Sequence, residues 1–245
     1  MSHVDQTKTL ERLLNPESQA RKRANQVIEI LKPFSRGMYN SGNMMESRFQ
    51  QALINSQPIQ VVGFCGANDK RSLDMADLLL LDEYRMIRQL ITAITTSQAE
   101  ITIILADAHG RFNGFKDFEG YHSRIDYEAG KRKLATVRLD QLYEQWGISL
   151  PEISEPIDEY LWNQFSQLKQ SSQLIESASK HNKNGNKPEV SAFYYWIMRQ
   201  QEAEPLKQTF SNAVLFINGS RDLGMATLPR NMPHVYSRFG PAWFQ

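Results

Sequence analysis

IQVVGFCGANDKRSLDMADLLLLDEYRMIRQLITAITTSQAEITIILADAHG, residues 59–110, is the stretch that decides the fold. It opens on IQVVGF (59–64), a short run rich in β-branched residues, and continues into CGANDKRS, whose small and polar residues have loop composition. From Leu73 to Thr95 the apolar positions Met75, Leu78, Leu79, Leu81, Met86, Leu90, Ile91 and Ile94 recur every three or four residues. That spacing predicts a long helix with a polar face of Asp82, Glu83, Arg85 and Arg88. Residues 101–105, ITIIL, are then almost continuously apolar, as expected of a strand covered on both faces. Strand, helix, strand makes a βαβ unit with parallel pairing.

Working outward, SQARKRANQVIEIL (18–31) sets Ala24, Val27, Ile28 and Leu31 at helical spacing before Pro33 stops the pattern. The following FSRGMYNSGNMMESRFQQAL (34–53) reads as a loop feeding a small helix. Downstream, a helical stretch runs from about Phe118 to Lys133, and LATVRLDQL gives a third strand at about 134–139. Helices are expected at 158–179 and 189–208, on either side of SKHNKNGNKPE, whose composition predicts a mobile loop. AVLFING (213–219) and HVYSRFGPAWF (234–244) read as terminal strands. The alternation specifies an α/β fold, a Rossmann-like three-layer domain with a mostly parallel sheet flanked by helices. Residues 1–245 are read as one such domain, with an N-terminal helical extension over about 1–57.

The composition narrows the function classes. Lys plus Arg (28) nearly cancels Asp plus Glu (27) over 245 residues, so no whole-protein field selects a nucleic acid or an anionic membrane. A single cysteine forms no internal disulfide and no CxxC or zinc-ribbon motif, which points to a reducing, cytoplasmic setting. No segment reaches the roughly 18 apolar residues of a spanning helix, and the polar N-terminus has no signal-peptide core, so no membrane partner is expected. His3, His181 and His234 show no metal-ligand spacing, so no metal is expected. A homodimer is left open.

In an open parallel sheet, ligands bind beyond the carboxyl ends of the strands, which directs attention to three loops. The first carries Phe64, Cys65, Asn68, Lys70 and Arg71, where small residues admit a ligand and two cations precede a helix N-terminus suited to phosphate or carboxylate. It lacks the glycine spacing of a Rossmann fingerprint or a Walker A loop, which disfavours NAD, FAD and ATP bound in those two ways, and no cofactor is called for. Cys65 is read either as a nucleophile or as a small buried filler. The second loop concentrates Asp107, His109, Arg111 and Asn113 within seven residues. His109 suits general acid–base work, Asp107 orients a base or an amino group, and Arg111 clamps an anion. The alternative is that Asp107 caps a helix and His109 is solvated. The third loop, Asn218 to Asp222, brings Arg221 toward the same crevice or leaves it on a solvent-facing turn. Tyr121, His122 and Arg124 either close over the pocket or face water, and Asp77 supports the N-terminal dipole of its helix. Tyr194, Tyr195 and Trp196, at helical spacing with Met198, are read as core.

The order of Gly63, Phe64 and Lys70, then a helix beginning MADLLLL (75–81), then ITIILAD (101–107) with Gly110, Arg111 and Phe112, resembles the amino-acid isocyanide (isonitrile) synthases. VRLDQL and the late AVLFING strand fall in the same order, so the likeness spans about residues 58–228. The resemblance implies an enzyme that converts the amino group of an amino acid to an isocyanide, with a pentulose phosphate supplying the carbon. Lys70 and Arg111 would bind phosphate or carboxylate, and Asp107 and His109 would manage the protons of imine chemistry. A second likeness is to the tRNA-dependent cyclodipeptide synthases. Gly63, Phe64, Cys65, Gly66, Ala67, Asn68 and Asp69 are similar to their Gly-x-Ser-x-x-Asn-Ser segment, with Cys65 at the acyl-accepting serine and the Tyr194–Glu204 helix bordering the aminoacyl pocket. That family binds tRNA through a strongly basic helix. Here Arg124, Lys131, Arg132 and Lys133 are interleaved with Asp126 and Glu128, the pattern of a solvated face. A noncatalytic ligand-binding module is the third reading.

Overall fold

The computed structural model describes residues 15–39, 41–66, 73–95, 97–153, 157–217, 229 and 232–237. Among them, six strands form one sheet: β1 (Ser35–Tyr39), β2 (Ile59–Gly66), β3 (Ala99–Ala106), β4 (Ala135–Arg138), β5 (Val214–Ile217) and β6 (His234–Ser237). Their order across the sheet is β1-β6-β5-β2-β3-β4. Every neighbouring pair is parallel except β1 with β6. The α/β, mostly parallel architecture expected from residues 59–110 is what the chain adopts.

Side-chain alternation divides each central strand between two cores. On one face Ile59, Val61 and Cys65 of β2, Ile101, Ile103 and Leu105 of β3, and Val214 and Phe216 of β5 meet four helices. These are α1 (Pro16–Leu31), α2 (Glu46–Ile54), α3 (Met75–Thr95) and α5 (Phe118–Lys131). On the other face Val62, Ile104, Ala106, Leu215 and Ile217 meet the short α4 (Asp107–Phe112) and α6 (Leu139–Trp146), with α7 (Glu159–Ser166), α8 (Ser171–His181) and α9 (Pro188–Thr209). Phe165, Phe193 and Trp196 of that layer pack edge-on or tilted at 5.8–6.3 Å between centroids.

Helix boundaries follow from their caps. Asn15 accepts from the Glu17 amide at 3.0 Å with Pro16 opening α1. At α3 the Asp77 amide donates to Asp74 Oδ1 at 3.1 Å and the Asp74 amide donates to Asp77 Oδ2 at 2.9 Å, a reciprocal capping box that bears out the helix-terminal reading of Asp77.

Four expectations need correction. The face of α3 that meets the sheet is centred on Leu80, Tyr84, Ile87 and Ile91, and it includes Glu83. Met75, Leu79, Met86 and Leu90 instead face outward with 69%, 52%, 43% and 43% of their surface exposed. Residues 78–81 are all leucine, so a spacing of three or four fits either face of the helix. Second, 35–39 within the expected loop is a strand, paired through its backbone to β6. Third, the helix expected at 158–179 breaks between Ser166 and Ser171 into two. Fourth, the segment expected to move is fastened. Lys183 donates its amide to the Asn113 carbonyl at 2.7 Å, and Asn184 Nδ2 donates to the Phe112 carbonyl at 3.1 Å. Gly114, at φ +77°, makes this possible, because a Cβ there would come within 2.8 Å of the Lys183 carbonyl.

The packing of α3 on the sheet can be tested at two positions. A Cβ on Gly63 would overlap Tyr84 Oη and Cζ, and Tyr84 is fixed edge-on to Phe216 at 5.5 Å. Gly63→Ala is expected to cost about 1–3 kcal/mol by overpacking, read as a lower denaturant midpoint, and adding Tyr84→Phe should restore part of the loss. Glu83 is 1% exposed, with Ser237 Oγ at 3.3 Å and 3.5 Å from its two oxygens. Burial pushes its carboxyl up from 4.5 to about 8, and the Ser237 hydroxyl offsets this only in part. The folded chain therefore holds this proton at pH values where the unfolded chain has released it, so stability falls as pH rises from about 4.5 to about 8. Glu83→Gln should raise Tm little at the acid end, progressively more toward pH 8, and by a constant amount above it.

Candidate active site at the carboxyl edge of the sheet

From β2 the chain moves outward through β3 to β4, then returns to the other side of β2 for β5 and β6. Strand order therefore reverses between β2 and β5, the place where open α/β sheets bind ligands. Gly66, Ala106, Arg138 and Ile217 end their strands at one edge. Cys65, Asp107 and Ile217 thus stand along that edge, and the third expected loop, Asn218 to Asp222, lies outside the described residues. Asn68, Lys70, Arg71 and Arg221 lie outside the described residues.

The second expected loop is the short helix α4. Asp107 Oδ1 accepts from its neighbour's amide, Ala108, at 3.1 Å and from the Asp140 amide at 3.0 Å, tying the end of β3 to the start of α6. Arg111, half-exposed, holds Asp140 with both Nη atoms, and this pairing keeps its guanidinium above the ordinary arginine range. Arg138 Nη1 lies 3.5 Å from Asp107 Oδ2, 3.0 Å from Glu119 Oε2 and 3.5 Å from His122 Nδ1. His122 is fully buried, and desolvation, then the Arg138 charge, lowers its pKa to about 4. Asn113 contributes its backbone carbonyl to the clasp on Lys183, and Arg124 is exposed on α5. The mixed charges of that helix pair with one another, Glu128 taking both Lys131 and Arg132.

His109 is buried rather than solvated, and it is joined to residues that sequence reasoning missed. Its Nε2 lies 2.7 Å from Glu202 Oε1, which also accepts from Tyr143 Oη, while Glu202 Oε2 pairs with Arg199. Burial alone would push the Glu202 carboxyl up. Arg199 and His109, with the hydrogen bonds from His109 and Tyr143, outweigh it and hold Glu202 near 2. An ionised Oε1 only accepts, so the hydrogen between the two groups sits on His109 Nε2, leaving Nδ1 as the second ring position. Nδ1 makes no hydrogen bond among the described residues, and the side chain keeps 10% of its surface accessible. The ring packs edge-on to Tyr195 at 5.4 Å. Arg199 lies over the Phe64 ring at 5.2 Å, which connects the buried group to the end of β2. The signal that could have found it is Arg199-x-x-Glu202 inside the run AFYYWIMRQQEAEP: opposite charges one turn apart, following an apolar and aromatic run that is buried from Ser191 to Tyr194 and again at Trp196 and Met198.

Cys65 points into the opposite layer and is buried. Its Sγ is 3.7 Å from Tyr121 Oη, which donates to Asp77 Oδ1 at 2.8 Å. The phenol has one hydrogen and gives it to Asp77, so in the Cys65–Tyr121 contact the thiol is the donor. Tyr121 is wholly buried and does not face water; burial, then the charges of Cys65 and Asp77, raises its pKa.

No protein-family model and no curated protein matches the sequence. Among solved structures, the PvcA protein from Pseudomonas aeruginosa has a similar fold, with a TM-score of 0.60 at 14% identity over 90% of this chain and 84% of that one. The tyrosyl-tRNA synthetase of Archaeoglobus fulgidus, solved with L-tyrosine, is similar at a TM-score of 0.50 and 11% identity, covering 87% of this chain and 64% of that one. At these identities the likeness is one of fold.

The thiol geometry generates a prediction. A Cys65 that donates to a buried phenol beside an aspartate is held as the unreactive thiol. In native protein it should react with iodoacetamide far more slowly than in protein unfolded by guanidinium, and Cys65→Ser should leave turnover within a few-fold of the parent. Rapid native labelling would contradict the assigned donor direction.

Proposed function

We propose that the protein is a small-molecule biosynthetic enzyme acting on an amino acid or an amino-acid-derived substrate. In the specific form we favour, it converts the amino group to an isocyanide with carbon from a sugar phosphate. The observation that carries the reading is the His109–Glu202 pair beside the strand-order reversal: a histidine oriented by an ionised carboxylate, with its second nitrogen available for proton transfer. Condensing an amine with a ketone, losing water and rearranging the imine each require a proton to be moved. His109 supplies that group, and Glu202 and Tyr143 fix its ring. Arg111, at the same edge, and Lys70 and Arg71, in the segment before α3, are the cations for carboxylate and phosphate. Asp107 serves by holding α4 against α6. Support comes from the motif order shared with the isocyanide synthases and from the fold shared with PvcA.

Aminoacyl transfer from tRNA is the second reading, favoured by the fold shared with a synthetase solved with its amino acid. The inward-donating thiol of Cys65 speaks against covalent acyl transfer at that position.

The test is incubation of purified protein with pooled amino acids and a pentulose phosphate, with and without charged tRNA, followed by mass spectrometry. The expected result is a sugar-phosphate-dependent product that survives RNase. His109→Ala should reduce its formation by about 10²–10⁴-fold with the circular dichroism unchanged, and Glu202→Gln by a smaller factor. A product that needs charged tRNA would select the second reading. Saturable ligand binding with no product in any arm would select a noncatalytic module.

A further inference from the structure

Helix α4, which carries His109, has six residues, fewer than two turns, and is too short to keep its direction unaided. It is mounted along one side of α9. Ser191, Tyr195, Arg199 and Glu202 are spaced four, four and three residues apart, so they share that side. At one end Glu202 Oε1 holds His109 Nε2 at 2.7 Å. Midway, the Tyr195 ring packs on both His109 and Phe112, at 5.4 Å and 6.3 Å between centroids. At the Ser191 end the contact passes through Asn184, in the connection between α8 and α9.

Both ends of the Asn184 amide are engaged. Its Oδ1 accepts from Ser191 Oγ at 3.2 Å, from Asn182 Nδ2 at 2.7 Å and from the Asn186 backbone amide at 3.0 Å, which gathers the turn against the start of α9. Its Nδ2 donates to the Phe112 carbonyl at 3.1 Å. A backbone amide donates and a backbone carbonyl accepts, so the two ends cannot be exchanged. The last carbonyls of a helix have no donor within it, and this turn supplies them: Phe112 is served by Asn184, and the next carbonyl, Asn113, by the Lys183 amide at 2.7 Å. The Asn113 amide in turn donates to the His109 carbonyl at 3.0 Å.

These contacts divide the work. A single bond to Glu202 fixes Nε2 but lets α4 swing about it, and ring packing is not directional. The direction of Nδ1 then depends on where the other end of α4 is fastened. We propose that Asn184 is a positioning residue for His109: by fastening the carboxyl end of α4 to α9, it sets the direction in which Nδ1 meets a ligand. This rests on His109 being the proton-transfer group of the reaction proposed above.

Asn184→Asp keeps the size and the accepting oxygen but turns an ionised oxygen toward the Phe112 carbonyl. Asn184→Ala removes the donor without adding charge, and keeps the test where the aspartate variant does not fold. Asn186→Asp is the control, with the same charge in the same exposed turn at a side chain that makes no hydrogen bond among the described residues. In full-length protein with 15N-labelled histidine, both ring nitrogens of His109 are followed by NMR and assigned by their loss in His109→Ala. Both Asn184 variants should shift the His109 signals and leave those of His122, buried on α5, in place. Product formation should fall about 10–100-fold in kcat with KM within about two-fold of the parent, and circular dichroism should not change. Asn186→Asp should match the parent throughout. His109 signals that superimpose on the parent's in the Asn184 variants overturn the proposal. So does an equal shift of His122, which would mark general loosening, or an equal effect of Asn186→Asp. The spectra need no turnover, so a parent that forms no product removes the proposed reaction while the NMR comparison still decides whether Asn184 positions His109.

Discussion

The register of β2 between its two parallel neighbours is the constraint on which the rest of the molecule depends. The strand pairs with β3 from Ile59–Ala99 to Gly66–Ala106, and with β5 from Val61–Val214 to Gly63–Phe216. A slip of one residue would turn Ile59, Val61 and Cys65 toward α9 and carry Phe64 into the α3 layer. Gly63 adds a second lock, because only there does the strand leave room for the Tyr84 ring that α3 sends onto it. With the register fixed, the carboxyl ends of β5, β2, β3 and β4 are brought to one edge without any further device.

The second organising interaction is the buried carboxylate of Glu202. An ionised group that is 1% exposed is tolerated only when its oxygens are satisfied, and here the partners come from three helices: Arg199 from α9 itself, His109 from α4 and Tyr143 from α6. The requirement works in both directions. Glu202 orients His109, and the need to satisfy Glu202 draws α4 and α6 against α9. Removing one partner would leave a buried charge short of a hydrogen bond, so the position of His109 is tied to the packing of the whole helical layer.

What the sequence revealed, and what it hid, follows the range of the forces involved. The βαβ unit was legible because β-branched runs and a helical period are local properties, and the choice of His109 followed from its place after a buried strand. The face of α3 was not legible: Leu78 to Leu81 point in every direction, and only the sheet decides that Leu80 and Leu81 go inward and Leu79 outward. Strand β1, with SRGMY as its sequence, has no apolar alternation. It exists because β6 offers an unpaired edge, and Ser35 and Gly37 absorb the resulting shift in register. Glu202 and Arg199 sit 93 and 90 residues from His109, a separation that no local pattern bridges.

Adjacent residues at the end of β2 lead into opposite layers, and the difference between those layers decides where chemistry belongs. Phe64 turns toward α9 and lies against Arg199, whose partner Glu202 is ionised and holds a histidine with one ring nitrogen to spare. Cys65 turns toward α3 and gives its proton to Tyr121, which gives its own to Asp77, itself one half of the box that caps α3. Among the described residues, the second chain runs from thiol to phenol to carboxylate and joins the cap of α3. In the first, the carboxylate fixes the ring without occupying Nδ1, so a proton can arrive there or leave without unmaking the Glu202 bond. Among the described residues, the chain on the α9 side is therefore the one the proposed reading uses to move a proton at the end of β2.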